Sequence, residues 1–491
     1  MTSLAERVAR EFGSPAVMID LEVVERNIAR LQAACDAVGL NNRPHIKTHK
    51  SPVLARMQRD AGAKGITCQK LGEAEVMAEA GLDDILISYN ILGPDKHARL
   101  AKLLQKRRVT VSADNETVVD GLGAAGAAAG RPLPVVVECD TGRKRAGVET
   151  SGEAVALGRR IAATRGLSFA GLLLYAPESA MAETQVFLDE VTAGLRDAGI
   201  AEPTIVSTGG TPNLRNLGRI AGATEHRSGT SIFNDRMMMA CGAATLDDCA
   251  LHVVATVVSR AGPERGILDA GSKTLTADPG GGLDGYGLIR EYPHARIKGF
   301  AEEHGFLDLG ASPERPVVGE VVRVVPNHVC VVVNMVDRLV AVRGDQIVGE
   351  IPVAARGRLA CTAAGPRRSY EVRTASTTSC TSSASRKVAR WCGAPRARRA
   401  TPSSWRPSET IRARSFGIAS GAGANAPPEE PPCRRSAIDQ SRRRTAPASP
   451  SSCQRLVSSR SVSPTVPTRV AGTPPARNVA SIRRSLRPSA G

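Results

Sequence analysis

The chain has 491 residues, with 65 Lys+Arg against 48 Asp+Glu and a net charge of +17. The excess is local: residues 361–491 hold 24 basic and 5 acidic residues, which leaves 41 and 43 for the first 360. A basic total normally points to nucleic acid or a membrane surface, but a nearly neutral body excludes that inference for residues 1–360, and no nucleic-acid partner is expected there.

The sequence has no run of 18 apolar residues and no signal peptide, so no membrane partner and a cytoplasmic location are expected. Six cysteines in the body (Cys35, Cys68, Cys139, Cys241, Cys249 and Cys330) follow no CxxC or zinc-knuckle spacing and fit reduced thiols. A body of about 360 residues exceeds one comfortable core and suggests two domains.

In chain order, residues 21–38 read as an amphipathic helix and Pro44 to Lys47 as a strand before a turn at Ser51-Pro52. A helix near 53–61, a strand at Gly65–Cys68, a helix at Leu71–Ala80 and a strand at Asp84–Ile87 continue the alternation. Further strands are expected at Arg108–Val111, Leu133–Cys139, Phe169–Leu174 and Thr204–Ser207, each followed by a helical or Gly-rich stretch. That rhythm predicts an α/β fold, a (β/α)8 barrel over 26–245.

Beyond about residue 245, Val/Ile-rich strands are expected at His252–Ser259, Gly266–Leu268, Gly319–Val325, Cys330–Asn334 and Leu339–Val342. They define a second, mostly β domain over 246–360, which residues 1–25 are expected to join. Residues 361–491 form an Arg/Ser/Pro-rich tail with one lysine, Lys387, and no histidine. It lacks the apolar content to order itself and reads as disordered: an out-of-frame gene end, an arginine-rich arm or a linker-like extension.

Several segments can carry chemistry. In Arg43-Pro44-His45-Ile46-Lys47-Thr48-His49-Lys50, a lysine between two histidines precedes a barrel helix, over the mouth where barrel sites gather. An amine there can lose its proton more readily than in water, as imine formation requires, although a solvated or ion-paired lysine is the plainer alternative. Lys50 is the local rival and reads as polar support. The turn Ser207-Thr208-Gly209-Gly210-Thr211 offers successive backbone amides suited to a phosphate, and Arg227-Ser228-Gly229-Thr230 adds a second small-residue turn beside a cation.

Asp140-Thr141-Gly142-Arg143-Lys144-Arg145 brings a carboxylate and cations to a strand end, with Arg145 the best candidate to hold a substrate or cofactor oxygen. If His328-Val329-Cys330 is extended, its imidazole and thiolate point to one side and can share an ion. Such donors favour zinc, with manganese or magnesium as alternatives, and a buried cysteine beside a capping histidine would look the same in sequence. Glu303 and His304 are polar neighbours of unknown contact.

Taken in order, these segments together with Pro212, Leu268-Asp269-Ala270-Gly271-Ser272-Lys273 and Glu302-Glu303-His304-Gly305 resemble the fold-type III pyridoxal-phosphate proteins. Within that family the body is similar to the D-threonine aldolase and D-serine dehydratase group, relatives of alanine racemase. The resemblance implies that Lys47 holds pyridoxal 5'-phosphate as a Schiff base and that Gly209, Gly210, Gly229 and Thr230 grip its phosphate. It implies further that Arg227 meets the pyridine nitrogen, that Tyr175 faces the cofactor, that His328 and Cys330 form a metal pair, and that the protein is a homodimer. Two departures stand out: Tyr175-Ala176-Pro177-Glu178 lacks an expected histidine, and Ser228 replaces a usual proline.

The resemblance implies a lyase acting on D-3-hydroxy amino acids, with Lys47 or His49 as base. Retro-aldol cleavage to glycine and an aldehyde is the leading expectation, and Cys330 tilts toward the alternative, dehydration to a keto acid and ammonia. An amino-acid racemase and a non-catalytic pyridoxal-phosphate-binding protein complete the alternatives.

Overall fold

The computed structural model describes residues 2–359; the tail expected at 361–491 lies outside the described residues. The chain opens with helix α1 (Leu4–Phe12), whose Ser3 and Glu6 form a reciprocal capping box, and strand β1 (Ala16–Asp20). Asp20 accepts from the amides of Glu22 and Val23 and so starts α2 (Leu21–Asp36).

Strands β2 (Asn41–Asn42), β3 (Ile66–Cys68), β4 (Ile85–Ile87), β5 (Val109–Ala113), β6 (Leu133–Cys139), β7 (Leu167–Leu174), β8 (Ile205–Gly209) and β9 (Glu225–Arg227) form one parallel sheet, in the order β2-β9-β8-β7-β6-β5-β4-β3. Its ends meet where His45 bridges Thr67 and the Thr67 amide donates to the Pro44 carbonyl at 2.8 Å, so the sheet curls into a barrel. Connecting helices are α3 (Pro52–Asp60), α4 (Leu71–Glu79), α5 (Pro94–Lys106), α6 (Glu116–Ala129), α7 (Ser151–Ala163) and α8 (Met181–Asp197).

Strand residues alternate between two environments, as the pleat requires. Ile66, Ile85, Val109, Val135, Leu172 and their neighbours pack with the helices in the larger core, while Leu86, Val136, Ala170 and Leu173 form a small apolar cluster inside the barrel. The interior also holds buried charges: Arg43, Glu138, Glu225 and Arg227.

After the short helix α9 (Arg236–Ala240) come β10 (Leu251–Arg260), β11 (Arg265–Leu268), β12 (Gly287–Ile289), β13 (Arg296–Phe300), β14 (Gly305–Asp308), β15 (Val321–Pro326), helix α10 (Val329–Val333), β16 (Arg338–Arg343) and β17 (Gln346–Pro352). The sheet order is β11-β14-β13-β12-β15-β10-β1-β16-β17, antiparallel except between β1 and β16. Strand β11 also pairs with β10, which closes six strands into a ring. The N-terminal strand β1 lies between β10 and β16 in this second sheet.

Two expectations about local structure are corrected. Pro44 to Lys47 is not a strand: the ladder stops at Asn42 and Ile46–Thr48 is a single 3-10 turn. The Ile46 carbonyl accepts from the amides of both His49 and Lys50, and Lys50 adopts a left-handed φ of 51°. Cys330–Asn334 is helical as well. Its valines suggest a strand by type, but Val329, Val332 and Val333 recur at helical spacing on the buried face, and the Asp235 carboxylate takes the Val329 amide at 3.0 Å. No described helix is long and apolar enough to cross a membrane.

Candidate active site

The 3-10 turn that interrupts the β2 run carries Lys47. Burial draws the Lys47 amine below its ordinary pKa against the pull of Cys330, and Arg145 and Arg227 lower it further. The His45 ring on one side is buried and held well below the usual histidine range, with Nε2 3.1 Å from Gln69 Oε1 and Nδ1 facing the Lys47 amide at 3.4 Å.

The other flanking histidine points elsewhere. His49 is fully buried, with Nε2 3.2 Å from Gln58 Oε1 and Nδ1 accepting from the Ser51 amide at 3.1 Å, so both ring nitrogens are engaged. Lys50 does act as polar support: its Nζ lies 2.7 Å from Asn334 Oδ1 on the end of α10 and 3.4 Å from Glu73 Oε1 on α4.

Burial lowers the pKa of His49 to about 4 and those of His226 and His252 to about 3. A histidine that stays neutral when folded but protonates near 6.5 when unfolded favours unfolding as pH falls between those values. The contribution is complete above about pH 6.5, is lost on acidification, and for His49 is on the order of 3 kcal/mol. Melting temperature is therefore expected to drop from pH 7 to pH 5, before most carboxylates titrate; a flat profile over that interval would refute the burial argument.

The glycine turns converge on the Lys47 segment. Gly210 has a φ of +101°, and a Cβ there would collide with the Tyr175 ring; a Cβ on Gly229 would lie 2.8 Å from Thr48 Oγ1. Arg143 and Arg145 lie over the Tyr175 ring at 4.3 and 5.4 Å. Arg145 is exposed, and its Nη2 stands 3.8 Å from Glu138 Oε1. Arg227 is buried, bonded to Ser207 and to the Leu174 carbonyl, and burial brings its pKa down to about 10.

Two side chains of the first turn are already engaged by their neighbours. Thr208 Oγ1 lies 3.0 Å from His226 Nδ1, and the Ser207 hydroxyl donates to Glu225 at 2.7 Å. Their segment can contribute backbone amides.

From the second sheet's domain, α10 brings Cys330 Sγ to 3.2 Å from Thr48 Oγ1 and 4.0 Å from Thr230 Oγ1. His328 precedes the helix, its Nδ1 3.3 Å from Asp235 Oδ2, a charge contact without hydrogen-bond alignment. Burial alone would lower His328, but Asp235 and Cys330 push it up to about 10, and His328 in turn helps draw the Cys330 thiol below its ordinary value despite burial.

The structure thus gathers Lys47, Arg145, Tyr175, Gly209, Gly210, Arg227, Gly229, Thr230, His328 and Cys330 into one linked set. Glu303 stays apart, exposed and paired with Lys273 at 2.9 Å; His304 is also exposed. Sequence reasoning missed Thr48, Asp235, Asn334, Glu138 and Glu225. Asp235 alone carried a faint signal, as a polar Asn234-Asp235 pair after an apolar Ile232-Phe233.

As a seat for pyridoxal phosphate the set fits: an amine of lowered pKa, two glycine turns no side chain could occupy, and a buried guanidinium. As a seat for zinc it offers an imidazole and a thiolate, the soft donors zinc prefers. Among the described residues no group of three or more His, Cys, Asp or Glu gathers around one point, so these two donors form an open edge of the site.

A lysine turn where the ends of a curled parallel sheet meet, met by residues of a mostly antiparallel ring, is the setting of a barrel enzyme that relies on a cofactor. Residues 19–237 match the family "Alanine racemase, N-terminal domain" and residues 250–342 match "Putative serine dehydratase domain". D-threonine aldolase of Arthrobacter sp. is 34% identical over 362 residues, 70% of this chain and 93% of that protein. D-threo-3-hydroxyaspartate dehydratase of Delftia sp. is 36% identical over 352 residues, 65% and 90% of the two chains.

Two solved structures of D-threo-3-hydroxyaspartate dehydratase superpose with this chain. A histidine-to-alanine mutant gives a TM-score of 0.65 at 30% identity, covering 71% of this chain and 96% of that one. A cysteine-to-alanine mutant in the metal-free form gives 0.64 at 29%, covering 72% and 99%. The chain belongs to the fold-type III pyridoxal-phosphate family of the D-threonine aldolases and D-serine dehydratases, which shares the alanine racemase N-terminal domain. It is a pyridoxal-phosphate-dependent lyase.

Proposed function

We propose that the protein dehydrates D-3-hydroxy amino acids, releasing a 2-keto acid and ammonia. The observation that carries this reading is the pairing of His328 with Cys330 two positions on. The histidine and cysteine substituted in the dehydratase structures stand at the same spacing, and the cysteine variant is described as metal-free. Retro-aldol cleavage is the second reading, favoured by the identity to the Arthrobacter aldolase over nearly all of that protein's length.

In this reading the amides around Gly209-Gly210 and Gly229-Thr230 would hold the phosphate, Lys47 Nζ would hold the aldehyde and Arg227 would face the ring nitrogen, while Tyr175, under Arg143 and Arg145, would form a wall. Bound there, pyridoxal phosphate supplies the electron sink that makes a carbanion at Cα accessible.

Lys47 Nζ, an amine whose pKa burial lowers, would be suited to take the Cα proton near neutral pH. His328 and Cys330 would hold zinc, whose Lewis acidity favours loss of the β-oxygen. Thr48 would orient the Cys330 sulfur through its hydroxyl, and Asp235 would hold the imidazole by charge. Free thiols at all six described cysteines support a reducing, cytoplasmic setting.

The purified protein, saturated with cofactor, should convert D-serine to pyruvate and ammonia, and D-threonine to 2-oxobutanoate and ammonia. A chelator should suppress both reactions. Glycine plus acetaldehyde from D-threonine would transfer the assignment to the retro-aldol reading, and no product at all would defeat both.

A further inference from the structure

The barrel interior holds a line of charge-assisted hydrogen bonds that ends on Arg227. At one end, Arg43 Nη1 donates to the Asp84 carboxylate at 2.6 Å and to the Asp84 carbonyl at 2.9 Å. Its Nε donates to Glu225 Oε2 at 2.7 Å, and the other Glu225 oxygen accepts from Ser207 Oγ at 2.7 Å. Ser207 Oγ then accepts from Arg227 Nη1 at 2.6 Å.

The direction of this line is forced. An ionised carboxylate only accepts, so the one proton of the Ser207 hydroxyl is committed to Glu225, and the oxygen is left to receive Arg227. Arg227 Nη1 also donates to the Ser207 carbonyl at 2.7 Å and Nη2 to the Leu174 carbonyl at 3.0 Å, so three bonds fix the guanidinium plane. Strand register places the parts: Ser207 lies opposite Glu225 and Gly209 opposite Arg227 across the β8–β9 pair. Glu225 is 1% exposed and Ser207 fully buried.

We propose that Glu225, acting through Ser207, is a positioning residue that locks the Arg227 guanidinium and thereby sets the protonation of the cofactor's ring nitrogen. This rests on the reading of Arg227 as the group facing that nitrogen. A guanidinium held in this plane stays a donor, and a ring nitrogen set against it would accept a hydrogen bond in place of a proton. Burial lowers Arg227 to about 10, still far above the range in which it would surrender a proton near neutrality. A second carboxylate in the barrel, Glu138, is held by Ser112 at 3.2 Å; it and Arg145 bear on Arg227 electrostatically without bonding to it.

The test uses the full chain loaded with pyridoxal phosphate and follows the visible absorption band through a pH titration. Ser207→Ala should load the cofactor as the parent does, but its band should titrate on the order of one unit away. Its kcat should fall about tenfold with KM within about twofold. Ser207→Thr, which restores the hydroxyl, should recover the parent titration; Glu225→Gln should shift it in the same direction as Ser207→Ala.

A Ser207→Ala protein whose titration and kcat match the parent overturns the proposal while leaving the cofactor reading intact. A parent protein that gains no visible band overturns the cofactor reading, and the proposal with it. If Glu225→Gln does not fold, the serine pair of variants decides the matter alone.

Discussion

Lys47→Ala is expected to abolish the visible absorption of the loaded protein and to reduce turnover on the order of 10^3-fold or more. The size follows from the two roles proposed for one nitrogen: Lys47 Nζ as the covalent anchor and, once released, as the base that moves the Cα proton. No neighbour can substitute. His45 is buried and bonded to Gln69, His49 is occupied at both nitrogens, and Lys50 is bonded to Asn334 and in charge contact with Glu73. Lys47→Arg should fail as well, because a guanidinium stays protonated and cannot form the link. An unchanged spectrum in either variant would end the assignment of Lys47.

His328→Ala is expected to separate the two halves of the chemistry. The absorption band should persist, since Lys47 and the glycine turns are untouched, while formation of keto acid should fall on the order of 10^2-fold or more. Exchange of the Cα proton with deuterated solvent should continue, because it needs only Lys47 and the cofactor. Cys330→Ala should behave alike, and both variants should bind less zinc than the parent. Full dehydratase activity in either would refute the metal pair; loss of the absorption band would show that α10 instead supports the cofactor seat.

Much of the barrel could be read from sequence because most strands from β3 to β7 are short apolar runs followed by a helix, as β5 is by the Asn115-capped α6. Leu133–Cys139 is an example, with the same bounds in sequence and structure. The stretch around Lys47 was harder. Its composition suits a strand, yet the turn is closed by two amides on one carbonyl and by the left-handed Lys50, features set by tertiary contacts to Asn334 and Glu73.

The valine run after His328 misled for a similar reason: a residue-type preference for strands yields when a buried carboxylate 94 positions earlier caps a helix. The same run also shows two residues expected to converge on an extended strand brought together instead at the first turn of a helix, His328 before it and Cys330 within it. Strands β12, β13 and β14 escaped notice because Gly287, Gly299 and Gly305 weaken their alternation. The line from Asp84 to Arg227 has no sequence signature, because its members come from separate strands and loops.

Lys47 and Arg227 belong to the barrel domain, whereas His328 and Cys330 ride on the five residues of α10 and the residue before them. Under the proposed function, such a division would decouple inheritance of the cofactor from the choice of which bond breaks. Descendants of one ancestor could then acquire new eliminations or cleavages through exchanges on a single short helix, leaving the wall that holds the ring undisturbed.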